Sequence, residues 1–161
     1  LSHIEDFDIL VIPGAKEFTI TDLIKSKEGQ ELCDLIRKFA SAKPRQETGK
    51  RFLQSVCTGS VLLAASGVLA GRMVTTHHTT LELLKQVADD AAGVDAKVDV
   101  VRQRFVDAGM TDAGVRIVTA GGVSSGIDAT LWVVEQVYGK EAADSVAEVA
   151  EFERRGEAWG V

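Results

Sequence analysis

Residues Leu53–Gly71, LQSVCTGSVLLAASGVLAG, decide the fold of this chain. Arg51–Val56 is a short run rich in apolar residues that reads as a buried strand, and Val61–Ala70 is apolar nearly all round, as a helix packed against a sheet must be. Between them Cys57-Thr58-Gly59-Ser60 leaves room only for a sharp turn, so the pattern predicts a helix over Thr58–Leu69, stopped by Gly71. A strand that turns at once into a buried helix is the layout of a nucleophile elbow, whose tip residue is lifted out of the sheet edge. Cys57 occupies that tip. Cysteine is also among the residue types most often buried as a small hydrophobe, so composition leaves two readings open. Position favours the nucleophile, because a helix starting just after Cys57 aims free N–H groups and a positive dipole end at the sulfur, which favours thiolate over thiol.

Outward from this stretch, strands alternate with helices. Asp8–Ile12 is an apolar run closed by Pro13-Gly14, the pattern of a buried parallel strand. Leu32, Leu35, Ile36 and Phe39 recur at helical spacing in GQELCDLIRKFA, and Pro44 and Gly49 end that segment. RMVTTH reads as a strand, TTLELLKQVADDA as a helix opened by a threonine cap, and KVDVVRQRFVD as one alternating strand. Phe105–Asp107 and Val115–Thr119 flank AGMTDAG, which suits a hairpin. A buried helix is expected over Ile127–Tyr138, with Ser124, Ser125 and Asp128 available to cap it, and a last amphipathic helix over KEAADSVAEVAEFERRG. This order implies βαβ units and a largely parallel sheet, an α/β fold in a single domain over residues 1–161.

Composition narrows the function classes. A hydrophobic fraction of 45% supports a sizeable core, and the net charge of −6 is dispersed rather than blocked, so no basic footprint for nucleic acid exists. The longest apolar stretch, Val61–Ala70, is interrupted by Ser66 and Gly67 and is too short for a membrane span, which takes about 18 apolar residues. Two cysteines make no disulfide framework and fit a reducing compartment, so a cytoplasmic protein is expected. No His/Cys cluster has metal-ligand spacing, and neither a metal nor a cofactor is expected.

Other candidate site residues lie where doubly wound sheets build their sites, beyond the carboxyl ends of strands. Gly14 and Ala15 either form a plain Pro-Gly turn or present N–H groups that join the Thr58 N–H in an oxyanion hole. His77 ends VTTHH and is either a satisfied structural histidine or a base and hydrogen-bond partner for Cys57; His78 should point the other way. TAGGVSSGID is neither a dinucleotide fingerprint nor a P-loop, and Gly122 and Val123 are read as a wall of the cysteine pocket. Cys33, mid-helix and without a charge partner, is expected to pack in the core.

SVCTGSVLLAASGVLAGRMVTTHHTTLELL followed by TAGGVSSGIDATL resembles the DJ-1/PfpI superfamily of the class I glutamine amidotransferase-like fold, over about Asp6–Tyr138. It looks most like the isocyanide hydratase branch and the amidotransferase-like domains of AraC-type regulators. The resemblance implies a flavodoxin-like three-layer sandwich with a mainly parallel sheet and a homodimer. It makes Cys57 the nucleophile with Thr58 after it, Gly14 and Ala15 the oxyanion loop, with Ala15 in place of a commoner glycine, and His77 the histidine near the cysteine. Protease-like members carry histidine directly after the cysteine, where this chain has Thr58, which weakens a peptidase reading. The family also places a catalytic acid upstream of DFDILVIPG, after a first strand. Glu5, Asp6 and Asp8 cannot stand in for it, so the chain is expected to lack its N-terminal strand-helix segment, supplied by a longer polypeptide or by a second chain.

The function the resemblance implies is a cysteine-dependent lyase: a hydratase converting a small isocyanide to an N-formamide through a covalent thioimidate. One alternative is a DJ-1-like glyoxalase or deglycase acting on α-oxoaldehydes. The other is a non-enzymatic ligand or redox sensor, and its regulator form needs a helix-turn-helix part that FERRGEAWGV does not show.

Overall fold

The computed structural model describes residues 3–157; the ends of the chain, including the last residues of FERRGEAWGV, lie outside that range. Short apolar runs that close in polar turns form the sheet. β1 (Ile9–Ile12), β2 (Phe52–Val56) and β6 (Arg116–Ala120) pair in parallel, with Ile9 opposite Phe52 and Phe52 opposite Arg116. β5 (Phe105–Met110) pairs antiparallel with β6 through the expected hairpin, which gives the order β1-β2-β6-β5.

Side-chain alternation sends each strand into two cores. Leu53 and Ile117 pack with Ile36, Phe39, Leu63 and Leu84 beneath α1 (Glu17–Lys25), α2 (Lys27–Ser41), α3 (Gly59–Ala65) and α4 (Leu81–Ala92). Phe52, Val118 and Ala120 pack with Ala129 and Val133 of α5 (Val123–Tyr138), which also carries α6 (Lys140–Val149). The result is a three-layer α/β sandwich of flavodoxin-like type. Ile9 and Val11 share the α5 face with Phe52 and Gln54, yet they are 42% and 45% exposed because β1 is a free edge of the sheet among the described residues.

Several sequence expectations are corrected. α1 is a helix that the sequence pattern does not announce: its Thr-Ile-Thr centre is β-branched and it buries only Ile20, so its periodic signal is weak. RMVTTH yields only the two-residue β3 (Met73–Val74), which pairs with β4 (Asp99–Val100) in a separate ribbon. The single strand expected over KVDVVRQRFVD is broken between β4 and β5, because the Gln103 and Arg104 carbonyls leave the ladder to accept from Thr75 Oγ1 and the Gly121 N–H. α3 ends at Ala65, where the Ser66 hydroxyl bonds back to the Leu63 carbonyl, and α6 ends at Val149.

The expected side-chain caps are also absent. Thr80 stands at the N-cap of α4, but its hydroxyl donates to the His77 carbonyl. α5 starts four residues earlier than expected, which puts Ser124, Ser125 and Asp128 inside the helix behind an uncapped Gly122.

The end of β1 meets the start of α3 through glycine. A β-carbon on Gly59 would stand 2.2 Å from the Ile12 carbonyl oxygen, a clash with rigid backbone. Gly59→Ala is therefore expected to cost about 3 kcal/mol of stability, measured by urea unfolding. A loss within about 0.5 kcal/mol, the range of an unconstrained surface change, would show that β1 and α3 do not meet here.

Candidate active site

Cys57 leaves β2 with φ of 57°, a left-handed conformation that costs a non-glycine residue on the order of 1 kcal/mol and persists only where its surroundings enforce it. Its N–H is shared between the carbonyls of Ala120 (3.0 Å) and Gly121 (2.7 Å), and its carbonyl accepts from Thr76 Oγ1 at 3.0 Å. Both peptides of the elbow are thus held from outside, and the half-buried thiol sits at the wall of a cavity of about 540 Å³.

Six of the seven residues singled out from sequence line that cavity: Gly14, Ala15, Cys57, Thr58, His77 and Val123. Gly122 does not. It borders a smaller hollow of about 130 Å³ with His78 and Arg102, although a β-carbon on it would come within 3.6 Å of the His77 ring. His77 borders the cysteine cavity and His78 the smaller one, but the two side chains do not point in opposite directions as expected: their rings pack together, with centroids 4.4 Å apart and planes tilted by 36°.

The roles expected of the loop after β1 need correction. The Ala15 N–H donates to Thr58 Oγ1 at 2.9 Å, and the same hydroxyl donates to the Ala15 carbonyl at 2.7 Å. Ala15 therefore has no amide left for an oxyanion, and the Thr58 side chain is a clamp rather than a holder of water or sulfur. A β-carbon on Gly14 would fall 2.8 Å from the Thr58 nitrogen and 2.9 Å from Cys57 Cβ, so the loop lies directly against the elbow. The Thr58 amide, at the start of α3 and without an acceptor among the described residues, remains the donor next to the sulfur.

His77 is fixed by its own loop. Its Nδ1 lies 2.8 Å from Thr79 Oγ1 and accepts from the Thr79 N–H at 3.4 Å, which assigns the proton of the neutral ring to Nε2. Sequence reasoning missed Lys16 and Glu17, which also line the cavity. Their signal is present in the chain: they follow Pro13-Gly14 at the carboxyl end of β1, on the same edge as the elbow. Cys33 is buried with Sγ 3.9 Å from the Leu62 carbonyl, and burial pushes its thiol pKa up, as expected of a packing residue. Among the described residues no group of three or more His, Cys, Asp or Glu could hold a metal ion, and no helix is long and apolar enough to cross a membrane.

The DJ-1/PfpI family model matches residues 2–136. The chain belongs to the DJ-1/PfpI family. It is 28% identical over 139 residues to an isonitrile hydratase of Pseudomonas putida, covering 86% of this chain and 49% of that protein. It is 26% identical over 152 residues to the DJ-1 homolog A of Arabidopsis thaliana, covering 92% of this chain and 32% of that protein. The crystal structure of a ThiJ/PfpI family protein from Pseudomonas syringae superposes with a TM-score of 0.63 at 20% identity, over 93% of this chain and 51% of that one. This DJ-1/PfpI chain thus spans about half or less of the length of these relatives.

Iodoacetamide is expected to alkylate Cys57 at least about ten times faster than Cys33, because the second thiol is buried and un-ionised; peptide mapping of a time course checks this. Thr58→Val should cost about 1–3 kcal/mol by stranding the Ala15 N–H and the Ala15 carbonyl, and Thr58→Ser should restore most of it, both read by urea unfolding.

Proposed function

We propose that this chain carries the nucleophile of a cysteine-dependent hydratase acting on small isocyanides. The observation that carries the reading is the left-handed Cys57 at the wall of the 540 Å³ cavity, beside the Pro13–Glu17 loop and His77. The likeness to an isonitrile hydratase supports the substrate class.

In this reaction the Cys57 thiolate attacks the terminal carbon of R–N≡C, forming a C–S bond, and a proton delivered to that carbon gives the thioimidate R–N=CH–S–Cys. Water then adds to the carbon as the nitrogen takes up a proton. Collapse of the adduct breaks the C–S bond, and R–NH–CHO leaves with the thiolate regenerated, for a net uptake of one water. The Thr58 amide stabilises charge on the adduct.

The proton carrier in this proposal is a carboxylate from a strand-helix segment upstream of Leu1, which also covers the exposed Ile9 and Val11 on the free edge of β1. The homodimer expected from sequence belongs to that completed protein, and a cytoplasmic location is proposed with it.

The likeness to a DJ-1 homologue favours a second reading, in which the same cysteine acts on an α-oxoaldehyde. The test is to give the protein purified from its natural source a small isocyanide and, separately, methylglyoxal, following N-formamide and aldehyde loss by mass spectrometry. Formamide production that Cys57→Ala abolishes, with an intact mass above the 17.2 kDa of this chain, is the expected result. Turnover of methylglyoxal alone would move the assignment to the glyoxalase or deglycase reading, and turnover of neither would overturn both.

A further inference from the structure

We propose that the buried Arg104–Asp128 ion pair is a positioning device for Cys57, acting through a relay of peptide hydrogen bonds that begins in the C-terminal tail. The proposal rests on the reading of Cys57 as a reactive nucleophile, and only on that part of it.

The relay has three links. The Arg104 N–H donates to the Glu157 carbonyl at 2.6 Å, the Gly121 N–H donates to the Arg104 carbonyl at 2.8 Å, and the Cys57 N–H donates to the Gly121 carbonyl at 2.7 Å. Each link fixes the residue that makes the next one: the N–H and carbonyl of Arg104, and those of Gly121, flank a single Cα, so the coupling between links is one of position. The last link holds the residue whose backbone is left-handed and most in need of outside constraint. Arg104 is thus the hinge between the tail and the elbow.

Among the described residues, the carboxylate of Asp128 holds the Arg104 side chain in place. Its Nε and Nη2 lie 2.8 and 2.6 Å from Asp128 Oδ2, and Nη2 also reaches Ser124 Oγ at 3.1 Å. The other oxygen of Asp128 accepts the Arg155 N–H at 2.7 Å, so the tail is tied to the same group. The two side chains are 9% and 1% exposed. A pair withdrawn this far from water is a poor source of stability compared with an apolar pair of the same volume, and what it adds is direction. The braced loop serves the histidine side as well: the Gln103 carbonyl accepts from Thr75 Oγ1, and the neighbouring Thr76 hydroxyl donates to the Cys57 carbonyl. Asp128 therefore constrains the elbow from both of its peptides without lining the cavity of Cys57.

The test measures the rate of iodoacetamide alkylation at Cys57 across a pH series, by peptide mapping, in the parent chain, Asp128→Asn and Asp128→Glu. Buried Cys33 serves in the same digests as the reporter of unfolding. Asp128→Asn is expected to slow Cys57 about ten-fold at every pH, including where the thiol is fully ionised, as misplacement of a reacting group does. Cys33 should remain protected, and Asp128→Glu should recover most of the rate. An unchanged profile overturns the proposal, and so does a profile whose midpoint moves while its alkaline plateau is kept, since that is the signature of charge alone. Should Asp128→Asn expose Cys33, Ser124→Ala, which trims one contact of Arg104, is read by the same criteria with an expected loss of about two-fold, scaled to one bond of several. A parent Cys57 no faster than Cys33 overturns both the nucleophile and its positioning, whereas a fast Cys57 in a protein that hydrates no isocyanide overturns only the proposed reaction.

Discussion

Two backbone approaches that admit no side chain hold the site together. Gly59 lies under the Ile12 carbonyl, and Gly14 lies against the Thr58 nitrogen. Both follow from register: Ile12 pairs with Ser55, so β1 and β2 end nearly level and the loops leaving them compete for the same space. The conflict is resolved by stacking one loop on the other and locking them with the Thr58 hydroxyl, which satisfies both the N–H and the carbonyl of Ala15. The cavity beside Cys57 is the space left over by that arrangement. Its position is therefore a property of strand pairing, and its walls are backbone as much as side chain.

Much of this is legible in the sequence because the signals are local. Apolar runs closed by Pro13-Gly14 or by the Cys57 turn specify strand ends within a few residues, and the carboxyl ends of parallel strands gather on one edge, so Gly14, Cys57 and His77 can be grouped from the order of residues alone. Thr80 fails to cap for a local reason, its hydroxyl turning back to the His77 carbonyl three residues earlier. The other misreadings share a long-range cause: β4 and β5 separate and Asp128 sits within α5 because each polar group is used by a partner distant in sequence, Arg104 for Asp128 and the Gly121 amide for the Arg104 carbonyl. The hydroxyl of Thr58 belongs with them, since nothing in Cys-Thr-Gly-Ser announces a bond to Ala15. α1 escapes notice for the opposite reason: it buries too little for its period to show.

The interior beneath the elbow is unusually polar, and its side chains supply partners that regular ladders do not. The Ser55 and Ser60 hydroxyls bond at 2.8 Å across the turn, and Gln54 Nε2 reaches Thr130 Oγ1 on α5 at the same distance. The Thr75 N–H finds Thr119 Oγ1 instead of a strand, which ends β3 after two residues and leaves it outside the main sheet. Side chains thus replace backbone partners where the chain must bend toward the cavity, because a buried peptide group left unpaired costs more than a specific polar residue does.

The free edge of β1 and the chemistry of the cavity point to the same missing piece under the proposed reading. An apolar edge strand is a liability, and Ile9 and Val11 present one on the α5 face. α1 and α2 cover the other face as the chain steps from β1 to β2. By the right-handed rule for crossovers, a helix covering the α5 face belongs to a connection stepping the opposite way, so a strand against β1 would come first and its helix second. Laid parallel to β1, that strand would end on the edge where Ile12 and Val56 end, and the turn into its helix would open beside Pro13-Gly14. One segment would then cover the apolar edge and carry a carboxylate to the wall of the cysteine cavity, where the described residues contribute only Glu17. Completion of the sheet and completion of the proton transfer become a single event, with the nucleophile already positioned by β2, α3 and the loops that hold them.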